Sequence, residues 1–271
     1  MNAPRSKCLF CQSNRGPFTR EEHPIPQSLG NDDLVLPPGV VCDPCNQYFG
    51  SKLEQPVLNY APLGIERVVQ AVRNKRGKVP RVRNRDIEIQ STGYWDRMAL
   101  ASTPPHRSLL PLRDGRVILN PEWVDPSLLA RFLLKVGLEL FTMSDAVTPH
   151  EPQFDEARRC ARFGTRSHEW DFAIGLYPDR EDLVIGMRVD RYGPLETRQV
   201  YQYSLGVMAS GDVMFGFMYA TSVFAVNLSR PPSLEYIMGF NDCNSFTISS
   251  RWNVFRSPGH LLLPAFTSRR V

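Results

Sequence analysis

The sequence predicts an α+β fold, and three observations carry the prediction. Four of its six cysteines fall at or before Cys45, which sets the N-terminal fifth apart as a small, metal-stapled module. Behind Asp125 and Pro126, the residues Leu129, Phe132, Leu133, Val136 and Leu140 recur at helical spacing, the pattern of a capped amphipathic helix. From Trp170 onward, runs rich in β-branched and aromatic residues are broken by Gly, Pro, Asn and Asp, the pattern of antiparallel strands. With 42% hydrophobic and 22% charged residues the chain is neither disordered nor fibrous. Its 271 residues suffice for more than one core.

The chain divides into a metal module over 1–60, a helix and basic connecting segment over 61–104, and a mixed helix-plus-antiparallel-sheet domain of unknown role over 105–271. Ile65, Val68, Val69 and Val72 predict a helix across 55–78, closed by Lys75, Arg76 and Gly77. The Ser-Thr-Pro-Pro run at 102–105 reads as a connection, and 109–119 as a hairpin turning on Asp114 and Gly115. A second, polar helix is expected over 153–162. Strands are expected at 172–177, 183–189, 199–207, 213–228 and 245–255. The uncharged stretch 213–229 nears the length of a membrane span, but Gly216, Thr221, Ser222 and its β-branched and aromatic residues favour buried strands, so no membrane is expected. No apolar leader precedes Lys7, and a cytoplasmic protein is expected.

Cys8 and Cys11 form one Cys-x-x-Cys knuckle, and Cys42 and Cys45 a second, thirty residues further on. Such a pair delivers four thiolates to one tetrahedral zinc. A closed four-sulfur site leaves no position for water, so this Zn²⁺ is structural and supplies folding energy that about sixty residues can hardly draw from a core.

Between the knuckles stand Glu22 and His23 in the run Glu-His-Pro-Ile-Pro-Gln-Ser-Leu-Gly, and on the second knuckle stand Asn46, Phe49, Gly50 and Glu54. Asp43 is a good N-cap and Pro44 a good first helical residue, which would place Asn46 in the first turn, facing the Glu-His arm. This arrangement over residues 8–54 closely resembles the zinc-containing branch of the HNH endonuclease family. The resemblance implies a ββα-metal fold with His23 as general base. Glu22 and Asn46 would be the ligands of a catalytic divalent ion, Mg²⁺ or Mn²⁺ by their hard oxygen donors. An unperturbed imidazole pKa near 6.5 suits His23 to accepting a proton from water. Many relatives carry an Asn shortly before the second knuckle that orients the histidine. Here Pro37 stands in that region and Asn31 is the loop's asparagine. Gly50 and Glu54 read as close packing and a helix-end ion pair.

The formal charge of +4 permits an acidic partner without requiring one. Locally the signal is stronger: from Arg67 to Arg85 eight cations occur with no acid between them. Of these, Arg73, Lys75, Arg76, Lys78, Arg81, Arg83 and Arg85 are the expected nucleic-acid contacts, through phosphates and without base specificity. His106, His150, His168, His260, Cys160 and Cys243 lack ligand spacing and read as structural. The Tyr and Phe residues of 201–224 read as core rather than a base-stacking platform. The resulting expectation is a metal-dependent endonuclease on nucleic acid, chiefly double-stranded DNA, as in restriction or phage defence, leaving 5′-phosphate and 3′-hydroxyl ends. The rival is a non-catalytic zinc module that binds nucleic acid or protein. The region 105–271 leaves ligand sensing, homo-oligomer formation and DNA recognition open.

Overall fold

The computed structural model describes residues 7–74, 76–84, 86–94, 98–104, 109–111, 117–119, 121–144, 150–164, 170–176, 200–230 and 253–255. Lys75, Arg85, His106, His168, His260, Cys243, the strand expected at 183–189 and the turn at Asp114 and Gly115 lie outside them, as does most of the strand expected at 245–255.

The N-terminal module has two irregular arms. Leu9 N donates to Val40 O at 2.8 Å and Leu36 N to Glu22 O at 2.9 Å, but Pro24, Pro26, Pro37 and Pro38 remove donors that a regular ladder would use. The arms lead into α1 (Asp43–Tyr48), which continues through a π-helical turn (Phe49–Glu54) into α2 (Gln55–Asn59). The single helix expected over 55–78 is in fact two. Tyr60 is extended, Pro62 follows a cis peptide bond, and α3 (Leu63–Val69) starts afresh and stops well short of Gly77.

The basic segment also contains a sheet that its charge concealed: β1 (Arg81–Asn84), β2 (Ile87–Ser91) and β3 (Met98–Ser102), joined antiparallel. Val82, Ile87 and Ile89 pack with Val68 of α3 in a small core of their own. The hairpin expected over 109–119 is present as β4 (Leu109–Pro111) and β5 (Val117–Leu119).

α4 (Pro126–Phe141) starts as expected, with the Asp125 carboxylate accepting from Ser127 N at 2.7 Å. The polar helix expected over 153–162 is α5 (Asp155–Phe163), entered through a 3-10 turn. β6 (Phe172–Leu176), β7 (Tyr201–Val207), β8 (Val213–Tyr219), β9 (Ser222–Asn227) and β10 (Asn253–Phe255) form one antiparallel sheet in the order β10-β6-β9-β8-β7. The 213–229 stretch is thus the β8–β9 hairpin, buried along its length. Among the described residues no helix is long and apolar enough to cross a membrane. Phe215, Phe217, Tyr219 and Phe224 are core, as their spacing predicts, while Tyr203 on β7 is exposed.

One hydrophobic core runs from Cys8, Phe10 and Phe49 in the module, through Phe132 and Val136 of α4, to Phe215 and Val226 of the sheet. α4 is therefore sandwiched between the module and the sheet. This placement positions the site.

Candidate active site

The two knuckles converge on one point. The Sγ atoms of Cys8, Cys11, Cys42 and Cys45 lie within 4.8 Å of one another. Zinc–sulfur bonds of 2.3 Å in a tetrahedron require sulfurs about 3.8 Å apart, so the cluster fits the ion. Without an ion the four cannot all ionise: a hydrogen bond from Cys45 holds the Cys8 thiol down to about 4, while burial pushes Cys42 up to about 12. A divalent ion replaces those shared protons. Arg162 of α5 also donates to Cys45 Sγ at 3.3 Å and lies 3.9 Å from the Tyr48 ring centre, which braces the staple from outside the module.

Asp43 does not cap α1; Cys42 holds that position, extended at φ −75° and ψ 151°. Its carboxylate instead accepts from Thr19 N at 2.8 Å, Thr19 Oγ1 at 2.6 Å and Arg20 N at 3.1 Å, and the Thr19 hydroxyl chiefly holds its pKa below the ordinary value. Asp43 therefore ties the start of α1 to the arm that leads into Glu21, Glu22 and His23. Asn46 completes that tie by donating from Nδ2 to Glu21 O at 2.9 Å. Asn31 is fully buried and clamps the loop after His23: its Nδ2 donates to Ile25 O and Leu34 O, and its Oδ1 accepts from Leu34 N and from the Tyr201 hydroxyl. It braces the backbone near the histidine rather than the imidazole itself.

A cleft of about 1050 Å³ opens between this arm and the basic segment. Glu21, Glu22, His23, Asn46, Gly50 and Glu54 contribute part of its lining; Arg67, Arg73, Arg76, Lys78 and Arg81 contribute another. Gly50 is not closely packed, contrary to the expectation: a Cβ there would meet nothing within 4 Å. It opens on the cleft instead.

Beneath the arm lies a group that spacing did not single out. Lys135 of α4 is completely buried, and its Nζ meets Glu22 Oε1 at 2.7 Å, Glu54 Oε1 at 2.9 Å and Glu139 Oε2 at 3.0 Å. The same ammonium donates to the backbone carbonyls of His23 at 3.1 Å and Pro24 at 3.3 Å. One cation among three carboxylates leaves an excess of negative charge. Burial accordingly pushes Glu139, fully enclosed, well above the ordinary carboxyl range and also raises Glu22, while the surrounding carboxylates outweigh burial and hold Lys135 protonated. Glu54 is an ion pair as expected, but with another helix rather than its own end.

Residues 8–60 match the family model of the HNH endonucleases. No curated protein matches the chain, and no solved structure does. The HNH module therefore accounts for the arm, the staple and α1–α2, while α4 and α5, which hold Glu22 and Cys45 in place, lie beyond the matched residues. Within this frame His23, Glu22 and Asn46 come together on one cleft with four of the seven expected phosphate contacts, Arg73, Arg76, Lys78 and Arg81. Arg83 is outside that lining and pairs with Glu88 at 3.6 Å. The signal for Lys135 was present in α4: Ser127, Arg131, Lys135 and Glu139 recur every fourth residue in an otherwise apolar helix, a polar stripe that a buried helix must turn toward polar partners.

Proposed function

We propose that this protein is a metal-dependent endonuclease that hydrolyses phosphodiester bonds of nucleic acid, with double-stranded DNA as its substrate. The observation that carries the reading is the shared cleft: His23 and Asn46 line it together with Arg73, Arg76, Lys78 and Arg81. A duplex phosphate drawn in by those cations meets an imidazole able to take a proton from water. The water oxygen then bonds to phosphorus as the bond from phosphorus to the 3′ oxygen breaks, and the departing oxygen takes a proton from solvent, leaving 5′-phosphate and 3′-hydroxyl ends.

The donors at Glu22 and Asn46 are hard oxygens and fit Mg²⁺ or Mn²⁺. Asn46 lines the cleft and commits Nδ2 to Glu21 O, which leaves Oδ1 as its donor atom for an ion, whereas Glu22 has already committed Oε1 to Lys135. A bound divalent ion supplies charge stabilisation to the phosphate and the departing oxygen. The Cys8, Cys11, Cys42 and Cys45 zinc remains structural. The setting we propose is a cytoplasmic restriction or antiphage nuclease, with 105–271 as the part that governs substrate choice or self-association.

The commitment of Glu22 to Lys135 favours one rival, a zinc module that binds nucleic acid without turnover. Plasmid nicking in Mg²⁺ and in Mn²⁺ by the parent and by His23→Ala, with bound zinc quantified in both and RNA run in parallel, separates the two. Cleavage by the parent alone at equal zinc content is the expected result. No cleavage by either selects the binding module, and equal cleavage by both overturns His23 as the base.

A further inference from the structure

We infer that Arg67 is the receptor for one phosphate group of the bound nucleic acid, at a fixed place in the cleft beside His23; the inference rests on the nuclease reading for its substrate. Arg67 differs from the other cations of its segment. Its side chain is half-buried where α3 meets the sheet, and its Nε is sealed from solvent with no hydrogen-bond acceptor. Among the described residues it makes no ion pair. The adjacent Glu66 accepts from the Thr221 and Ser222 hydroxyls, and two carboxylates of the cleft, Glu22 and Glu54, are engaged by Lys135.

An enclosed charge without a counter-ion is costly, and most side chains escape by giving up or taking a proton. A guanidinium cannot. Burial does draw the pKa of Arg67 below the ordinary arginine value. Among the described residues no ion pair compensates this cation, and Arg67 lines the same cleft as His23 and Asn46. A bound anion would supply the missing charge. A phosphate oxygen suits it, because guanidinium hydrogen bonds to phosphate are charge-assisted and directional. A half-buried Arg67 would fix the register of the strand, whereas exposed cations such as Arg76 supply only diffuse attraction.

The test compares the full-length parent with Arg67→Gln and Arg67→Lys, each in the His23→Ala background for binding and with His23 intact for cleavage. Arg83→Gln serves as the control outside the cleft. With a labelled DNA duplex, Arg67→Gln should weaken binding by about tenfold to a hundredfold and reduce the salt slope by about one, with Arg67→Lys between and Arg83→Gln at the parental value. Thermal melting of the free proteins gives the readout that a merely structural arginine would not: removal of an uncompensated charge leaves Arg67→Gln as stable as the parent or more so. Duplex binding equal to the parent, or a lowered melting temperature that accounts for the lost binding, overturns the inference. Stabilisation of the parent by inorganic phosphate with no response to duplex would assign the site to a free phosphoanion and overturn the nucleic-acid part. If Arg67 governs duplex binding but the parent cleaves in neither Mg²⁺ nor Mn²⁺, the nuclease reading fails and Arg67 stands; if the parent cleaves and Arg67→Gln cleaves with the same KM, Arg67 fails alone.

Discussion

The Nζ of Lys135 donates to the backbone carbonyl of His23 at 3.1 Å across 112 residues of sequence. The candidate base is thus held by a helix that lies outside the matched HNH residues, through a cation that also gathers Glu22, Glu54 and Glu139. Replacement of Lys135 by Met keeps the volume and removes the charge. It leaves two buried carboxylates, the half-buried Glu54 and two carbonyls without their donor, a loss of about 3–5 kcal/mol by comparison with broken buried pairs. Lys135→Met should therefore melt well below the parent. Adding Glu139→Leu should recover part of that stability, since an apolar pair can replace a buried ionic one, but should not restore nicking, because the His23 and Pro24 carbonyls still lack their donor. Recovery of both together would mean that Lys135 acts only through stability.

Glu139 gives the pH dependence. Burial raises its folded pKa well above that of the unfolded chain, so the folded state binds the extra proton in the interval between the two. Its contribution is fully present below the unfolded pKa, near 4.5, and is lost as pH rises through the folded value. Glu139→Gln mimics the protonated form at every pH. Denaturant melts of parent and variant should diverge steadily from about pH 5 upward, the variant holding its stability where the parent declines. Parallel profiles would place the proton elsewhere in the cluster.

Much of the site was legible because its parts are local. The two knuckles and the Glu22–His23 pair are fixed by spacing within a few residues, and Asn46 follows directly from Cys45. What escaped depends on contacts far apart in sequence. Lys135 and Glu139, four residues apart on α4, meet Glu22 and Glu54 only when the module closes over them. The three-stranded sheet was hidden because Arg81 and Arg83 drew attention to charge, although Val82 between them and the alternation of Ile87 and Ile89 carry a strand period. Pro62 broke a helix whose apolar spacing continued past it.

At Gly137 α4 lies close against the sheet. A Cβ there would come within 2.8 Å of Leu228 Cδ2 and 2.9 Å of Phe215 Cγ. Alanine improves helix propensity by about 1 kcal/mol at a glycine, yet the Phe215 ring is fully buried and cannot yield as a free chain end does. Gly137→Ala should be destabilising by about 1–2 kcal/mol net, read by urea titration. A stabilised variant would mean that the α4–sheet interface is looser than this contact implies.

The cleft also separates the cations by role. Lys78 and Arg81 line it, while Arg83 has an 80% exposed side chain and pairs with Glu88 on the neighbouring strand. Such an exposed pair contributes about 0–1 kcal/mol. Reversal of Lys78 and Arg81 to Glu should weaken duplex binding and lower its salt slope by about 0.9 for each phosphate lost. Arg83→Glu should do neither. Equal losses from both variants would place the duplex across the outer face of β1 rather than in the cleft.

Removal of zinc should not unfold the module alone. Cys8, Phe10 and Phe49 share one core with Phe132 and Phe215, and Arg162 joins α5 to Cys45. Zinc binding in small modules amounts to about 10–16 kcal/mol, which matches or exceeds the whole stability of a typical domain, about 5–15 kcal/mol. Chelation, or Cys42→Ser, should therefore lower the melting temperature of the whole chain as one transition. Arg162→Met keeps all four thiolates but removes the N–H to Cys45, and should weaken zinc about tenfold in competition with a chromogenic chelator. Two separate transitions, of which chelation moves only the first, would make the zinc module an independent folding unit; unchanged zinc affinity in Arg162→Met would reduce the Arg162 contact to packing on Tyr48.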